Sequence, residues 1–168
     1  MGNLENNKSL SSAEAEFSHS GGVRGGRIVT VKCPATVANL VCGFDILGMA
    51  LQEPFDIMKL KLIDEPKVYI TNKDAYDLPT EATKNVAGVV LLEIMEKMGN
   101  TFGFEVEIEK QIKPGSGLGS SAASAAGAAV AANQLLKNIF STDELVQFAM
   151  HGEKLASGVK HADNITPC

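Results

Sequence analysis

The sequence lacks an excess of basic residues. Its 168 residues include 15 lysines and arginines against 20 aspartates and glutamates, so the net charge is −5 and the isoelectric point is near 5.2. A protein whose main partner is a phosphate backbone normally carries a basic patch or stripe. The composition therefore argues against nucleic acid as a partner.

Cysteine is scarce, and no apolar run is long. Cys33, Cys42 and Cys168 form neither a disulfide framework nor the CxxC pairs of a zinc site, so we expect reduced thiols. The longest small and apolar run, AASAAGAAVAA at 122–132, is too short and too weakly hydrophobic to span a bilayer. No charged-then-apolar signal peptide opens the chain. We therefore expect a cytoplasmic protein with no membrane partner.

Large apolar residues are nearly missing from the first 26 residues. This segment is rich in Asn, Ser, Gly and Glu, so burial cannot offset the entropy that it would lose on ordering. Residues 1–26 are predicted to be a disordered tail. Nearly half of the whole chain is apolar, which suits one ordinary domain over residues 27–168.

Alternating apolar and polar residues predict four strands. They are RIVTVKC at 27–33, which we expect Pro34 to end, FDIMKLKLI at 55–63, KVYIT at 67–71 and FEVEIEKQI at 104–112. The core side of the second strand is predicted to hold Phe55, Ile57, Leu60 and Leu62. In the fourth strand apolar residues alternate with glutamates, so one face meets the core and the other meets water. This alternation is typical of an antiparallel sheet.

Two segments have helical periodicity. NVAGVVLLEIMEKMGN at 85–100 has apolar residues at helical spacing and ends on a glycine and an asparagine that suit a helix C-cap. STDELVQFAMHGEKLASG at 141–158 begins with a capping box, Ser141 and Glu144, and is predicted to continue to about Ala156.

Between these segments lies a glycine-rich turn followed by an alanine-rich helix, IKPGSGLGSSAASAAGAAVAANQLL at 112–136. It is not a Walker A loop, because no lysine precedes the serines, and the strand before it is too amphipathic for a dinucleotide-binding unit. A glycine loop that leads into a helix N-terminus nevertheless forms an anion site, for which polyphosphate is the natural ligand. Ser120 and Ser121 could cap the helix, touch a phosphate oxygen or reach a magnesium ion.

The stretch KPGSGLGSSAAS, which contains P-x-x-G-L-G-S-S-A-A from Pro114 to Ala123, resembles the phosphate-binding signature of the GHMP kinases. CPATVANLVCGFDILGMAL at 33–51, KNVAG at 84–88 and GEKLASGVKHADNITP at 152–167 narrow the resemblance to homoserine kinases. The resemblance implies an α+β fold with a mixed, largely antiparallel sheet packed on helices, like ribosomal protein S5 domain 2. It also implies an enzyme that uses ATP and Mg²⁺ to phosphorylate L-homoserine.

The resemblance assigns an ATP-binding loop and a metal site. The loop residues are Lys113, Pro114, Gly115, Ser116, Gly117, Leu118, Gly119, Ser120 and Ser121. Asn85 would meet the adenine, but its position also suits a helix N-cap, which the residues alone favour. Ser121 and Glu153 would hold the magnesium ion, whereas a lone glutamate on a helix is usually a solvated residue.

The resemblance also assigns the residues that hold the amino-acid substrate: Asn39, Asp45, His161, Asp163 and Asn164. Without it, the first two suit turn chemistry and the last three an ordinary polar loop. Asp163 or Asn164 would face the reacting hydroxyl. If Asn164 does so, no side-chain base exists, and the proton passes directly to the phosphate.

The resemblance covers only an N-terminal, ATP-binding domain. The family's second, ferredoxin-like domain is not found in residues 27–168, so we expect this chain to be a fragment of a longer enzyme. The alternatives are a mevalonate- or shikimate-type kinase and a truncated, non-catalytic nucleotide-binding domain. A homodimer is left open.

Overall fold

The computed structural model describes residues 15–18, 26–38, 47–157 and 162–168, which form one mixed sheet covered by helices. Its strands are β1 (Ala15–Ser18), β2 (Ile28–Ala38), β3 (Gly48–Ile63), β4 (Val68–Asn72) and β5 (Gly103–Glu109). Its α-helices are α1 (Val86–Lys97), α2 (Ser120–Leu135) and α3 (Thr142–Ser157).

The sheet order is β1-β2-β3-β5-β4. The β4 and β5 strands pair in parallel, and the other three pairs are antiparallel. Helix α1 connects the parallel pair, because a parallel neighbour needs a crossover connection. The predicted α+β class, with a largely antiparallel mixed sheet packed on helices, is confirmed.

Strand β2, predicted from RIVTVKC at 27–33, is longer than the sequence predicts. Pro34 does not end β2, which continues to Ala38 and pairs with β3 on both sides of a register shift between Pro34 and Thr36. Proline is tolerated at such an irregularity, where a ladder hydrogen bond is already missing. The extension brings Thr36, which is fully buried, to the glycine-rich turn.

The core face of β3 also differs from the prediction. Asp56, Met58 and Leu60 are buried, whereas Phe55 and Ile57 are only partly so. Because strand side chains alternate with a period of two, odd-numbered residues cannot share a face with Leu60. The prediction placed Phe55 and Ile57 on the same face as Leu60, although they lie on opposite faces of the strand. Asp56 is the residue that shares the core face with Leu60, and a charged residue is not expected there.

The fourth predicted strand is confirmed as β5. Phe104, Val106 and Ile108 are at most 2% exposed, and the glutamates between them face outward. On that outer face Glu105 and Glu107 pair with lysines of β3.

A strand lies within the segment predicted to be a disordered tail. The β1 strand pairs antiparallel with β2, with Phe17 opposite Val29 in the register. Backbone hydrogen bonds to a sheet edge do not depend on large apolar side chains, so composition gave no sign of this strand. Residues 1–14 and 19–25 lie outside the described residues.

Helix α2 is the centre of the helical layer. Thirteen of its 16 residues are buried, because it packs on β2 and β3 on one side and on α1 and α3 on the other. Its alanines permit close packing, and at Gly127 a Cβ atom would overlap the sulfur of Cys33.

The two predicted helices α1 and α3 are confirmed. Gly99 and Asn100 have positive φ after α1, and Ser141 and Glu144 form the capping box of α3. Among the described helices, none is long and apolar enough to cross a membrane.

Candidate active site

The glycine-rich turn between β5 and α2 has a backbone that only glycine adopts easily. Gly115, Gly117 and Gly119 have φ values of 74°, 78° and 65°, in the left-handed region. No atom lies within 4 Å of the place where a Cβ of Gly115 or Gly117 would stand. A ligand can therefore approach the backbone N–H groups there without meeting protein atoms.

The N-terminus of α2 faces the same space. Gly119 occupies the N-cap position, and no side chain caps the first turn. The unpaired N–H groups of that turn and the positive end of the helix dipole favour a bound anion. Strand β2 holds the loop in place, because the Thr36 N–H donates to the carbonyl oxygen of Leu118 at 3.1 Å.

The two predicted serines have different roles. The Ser120 hydroxyl is buried and donates to the carbonyl oxygen of Ile112 at 3.0 Å, so it ties the helix start to the segment that enters the loop. The Ser121 hydroxyl is partly buried and donates to Oε1 of Glu153, on α3, at 3.0 Å. Only the Ser121 hydroxyl is placed beside a carboxylate.

A cavity of about 530 Å³ opens in front of the loop. This volume lies within the range of small-molecule sites, roughly 300 to 1,000 Å³. From the predicted site the lining includes Asn85, Pro114, Gly115, Gly117, Gly119, Ser120, Ser121, Glu153 and Asn164. The structure thus brings together residues that are up to 79 positions apart in the sequence, from 85 to 164.

Asn85 lines the same cavity and caps α1. Its side-chain oxygen accepts from the N–H groups of Ala87 and Gly88 at 3.0 and 3.3 Å, and its Nδ2 donates to the carbonyl oxygen of Pro79 at 2.7 Å. The N-cap interpretation is therefore confirmed. One Nδ2 hydrogen has no hydrogen bond among these three.

Asn164 and Asp163 occupy different environments. Asn164 lines the cavity, and its Oδ1 accepts from the Thr36 hydroxyl at 2.9 Å. Asp163 is 9% exposed, does not line the cavity and accepts from the backbone N–H of Asn164 at 3.0 Å. Of these two residues, Asn164 is thus the one that faces the site.

A largely buried thiol lies close to the backbone of Asn164. The Cys168 sulfur is 3.3 Å from the carbonyl oxygen of Asn164, and burial raises the pKa of this thiol to about 12. Burial also raises the pKa of the Cys33 thiol, further along the same strand that carries Thr36. Both thiols are neutral at physiological pH and are unsuited to act as nucleophiles or metal ligands.

Some predicted residues do not line the cavity. Lys113, Ser116 and Leu118 belong to the turn itself, in which the Ser116 N–H donates to the carbonyl oxygen of Lys113 at 3.2 Å, and Asp163 is likewise outside the lining. Asn39, Asp45 and His161 lie outside the described residues. Among the residues that the structure does describe, no three His, Cys, Asp or Glu side chains form a metal-binding group.

Two buried charged residues beneath the loop were missed. Lys110 and Asp56 form an ion pair of 2.5 Å, and Lys110 also lines the cavity. A signal was present, because Asp56 has the parity of Met58 and Leu60, and Lys110 that of Ile108. Opposite charges at core positions of two paired strands indicate a buried partner for each.

Comparisons with known proteins agree with this geometry. The model of the GHMP kinases N terminal domain matches residues 84–168, just over half of the chain. The homoserine kinase of Methanocella arvoryzae is 45% identical over 140 residues, which are 83% of this chain and 45% of that protein. That of Xanthomonas campestris pv. campestris is 44% identical over 146 residues, 86% of this chain and 45% of that protein. The chain thus spans about half the length of the curated relatives it matches.

Solved structures give the same result. The homoserine kinase of Cytophaga hutchinsonii superposes with a TM-score of 0.79 at 43% identity, over 89% of this chain and 48% of that one. The mevalonate kinase of Methanococcus jannaschii superposes with a TM-score of 0.64 at 20% identity, over 86% of this chain and 52% of that one, and so shows the fold alone. Because the phosphate-binding signature lines the cavity and the family model matches just over half of this chain, the chain belongs to the GHMP kinases, and its relatives within them include homoserine kinases.

Proposed function

We propose that this chain is the ATP-binding part of a homoserine kinase, which transfers the γ-phosphoryl group of ATP to the hydroxyl of L-homoserine and forms O-phospho-L-homoserine. The observation that carries the proposal is that the three left-handed glycines, the start of α2, Glu153 and Asn164 line the same cavity. The relatives' name supplies the substrate class. The reaction belongs to threonine biosynthesis in the cytoplasm.

The triphosphate would lie along the loop. Gly115 and Gly117 leave the backbone open, and the N–H groups of the first turn of α2 point to the same space. Elsewhere in the cavity lining, Asn85 would meet the adenine through its remaining Nδ2 hydrogen, while its oxygen stays on the cap of α1. The cap would thus hold the amide in place for the base.

Ser121 and Glu153 would hold the magnesium ion. A hydroxyl and a carboxylate are oxygen donors, and magnesium is usually held by one or two protein groups together with substrate phosphates. The two oxygens are already 3.0 Å apart across α2 and α3, so the donor set suits this ion. When bound, the ion neutralises charge on the phosphates.

The amino-acid substrate would contact Asn164, and the resemblance adds Asn39, Asp45 and His161, which lie outside the described residues. Asn164 lines the cavity but an amide is no base, and Asp163 points away from it. In this arrangement the hydroxyl proton passes to the phosphate, and the protein acts by positioning the reactants and by stabilising charge. A homodimer remains compatible with the proposal.

Gly117→Val tests the nucleotide site. Its β-branched side chain would fill the space in front of the loop, so we expect Mg·ATP affinity to fall at least tenfold, on the order of one lost charge-assisted hydrogen bond or more. Isothermal titration of the purified chain with Mg·ATP measures this. Gly99→Val is the matched control, since Gly99 also has positive φ, 80°, and open space but lies outside the cavity lining. Equal affinity in the Gly117→Val and wild-type proteins contradicts the site.

Glu153→Gln tests the metal site. The variant keeps the shape and the Ser121 hydrogen bond but loses the charge, so ATP affinity should become nearly independent of magnesium while the free energy of unfolding changes little. Glu96→Gln, an exposed residue of α1, is the control. A full magnesium dependence in Glu153→Gln removes this residue from the site. An assay with ATP, magnesium and a panel of hydroxylated metabolites then separates homoserine from mevalonate and shikimate.

A further inference from the structure

Two opposite charges are buried directly beneath the glycine loop. The Lys110 and Asp56 side chains are 3% and 2% exposed, and their Nζ and Oδ2 atoms are 2.5 Å apart. Removing both charges from water costs so much that an apolar pair of similar volume is often as stable. Stabilisation of the fold is therefore a weak explanation for this buried ion pair, and the contacts of its two side chains indicate another role.

The Lys110 ammonium group has three protein partners, one through an ion pair and two through hydrogen bonds. They are Oδ2 of Asp56, the carbonyl oxygen of Ser120 at 2.8 Å and the hydroxyl of Ser124 at 2.8 Å. Ser120 and Ser124 belong to the first turns of α2. The side chain lines the cavity, and both of its hydrogen bonds go to the start of α2. Lys110 therefore acts on the loop through the first turns of α2.

Asp56 holds the other end of the loop. Its Oδ1 accepts from the backbone N–H groups of Gln111 and Ile112 at 2.8 and 2.9 Å. The carbonyl oxygen of Ile112 in turn accepts from the Ser120 hydroxyl. One carboxylate on β3 thus fixes the residues that enter the loop, and its lysine partner fixes the residues that leave it.

We propose that Asp56 and Lys110 are the positioning pair of the phosphate loop. They fasten both ends of residues 113–119 to β3, so the loop N–H groups are held in binding geometry before a ligand arrives. Preorganisation of this kind raises affinity, because less ordering is required on binding. The inference rests on the proposed function only for the identity of the ligand as ATP.

The test uses the double variant Asp56→Asn/Lys110→Met. Methionine removes the ammonium group without leaving a carboxylate unpaired, and asparagine keeps an oxygen for the N–H groups of Gln111 and Ile112. The matched control is Asn133→Leu at the other end of α2. Asn133 is also buried, at 6% exposed, and makes two hydrogen bonds to the backbone of Phe140.

The first measurement needs no ligand. The amides of Thr36 and Ala123 donate to the loop carbonyls of Leu118 and Gly119 at 3.1 and 2.8 Å. In the double variant we expect their hydrogen exchange to be at least about tenfold faster, as for the loss of one hydrogen bond to a charged group. Asn133→Leu should leave both rates unchanged. Wild-type exchange rates at Thr36 and Ala123 in a folded double variant overturn the proposal, whatever the ATP result.

The second measurement separates positioning from general destabilisation. We expect the double variant to lose at least tenfold in affinity for Mg·ATP and to keep its affinity for adenosine, which lacks phosphates. An equal loss for both ligands contradicts a role in the phosphate loop. If the wild-type chain binds no ATP but Thr36 and Ala123 exchange faster in the double variant, the proposed function fails and the positioning pair stands.

Discussion

Gly119 is the one loop glycine at which a methyl group meets protein. Its φ of 65° is unfavourable for alanine, and its Cβ would overlap the buried hydroxyl of Thr36 and lie 3.2 Å from Oδ1 of Asn164. The change Gly119→Ala therefore strains the backbone and pushes against a hydrogen bond that orients a site residue. Gly117→Ala has the same backbone problem without the overlap.

The two costs can be estimated separately. A left-handed conformation costs a non-glycine residue roughly 1 to 2 kcal/mol, and an extra methyl in a well-packed place costs about 1 to 3 kcal/mol. Gly119→Ala should thus lower the free energy of unfolding by about 2 to 5 kcal/mol and Gly117→Ala by about 1 to 2 kcal/mol. Because small domains unfold with only about 5 to 15 kcal/mol, the first change is severe.

Urea unfolding of the variants, followed by circular dichroism, measures the difference. The change Thr36→Ala removes the overlapping hydroxyl. In a Thr36→Ala background, Gly119→Ala should therefore lower the free energy of unfolding by at least about 1 kcal/mol less than it does in the wild type. Thr36→Ser keeps the hydroxyl and should give no such relief. The reasoning is refuted if Gly119→Ala destabilises no more than Gly117→Ala, or if its effect adds fully to that of Thr36→Ala.

Two further predictions concern titratable groups. Hydrogen bonds from Lys97 and from Ser141 lower the pKa of Glu144 from 4.5 to about 2. A carboxyl group with a depressed folded-state pKa stabilises the fold above pH 4.5 and loses that contribution as the pH falls towards 2. The stability difference between wild type and Glu144→Gln, from urea midpoints, should therefore shrink over that range and shrink also in high salt; a constant difference contradicts the assignment. Because burial raises the pKa of the Cys33 and Cys168 thiols, both should react with iodoacetamide at pH 8 far more slowly than in urea, as peptide-resolved mass spectrometry would show. Equal rates in the folded and unfolded chain would contradict this burial.

The sequence by itself determined those features that depend on neighbouring residues. The alternation of FEVEIE fixed the two faces of β5, and the capping box fixed the start of α3. The glycines before SSAAS predicted a loop with an accessible backbone at a helix N-terminus, which the three positive φ values bear out. These outcomes follow from local sterics and local hydrogen bonds, which are written in a short window of sequence.

Only the tertiary structure decided which polar groups meet. Asp163 and Asn164 are adjacent in sequence and equally polar, yet one is buried away from the cavity and the other lines it. Asp56 was missed because a carboxylate at a core position is costly without its partner, and Lys110, that partner, lies 54 positions away, directly after β5. The continuation of β2 past Pro34 was likewise decided by its pairing with β3. Contacts between residues far apart in the chain carry no local pattern, so sequence reveals that a buried charge needs a partner, and the fold selects which one.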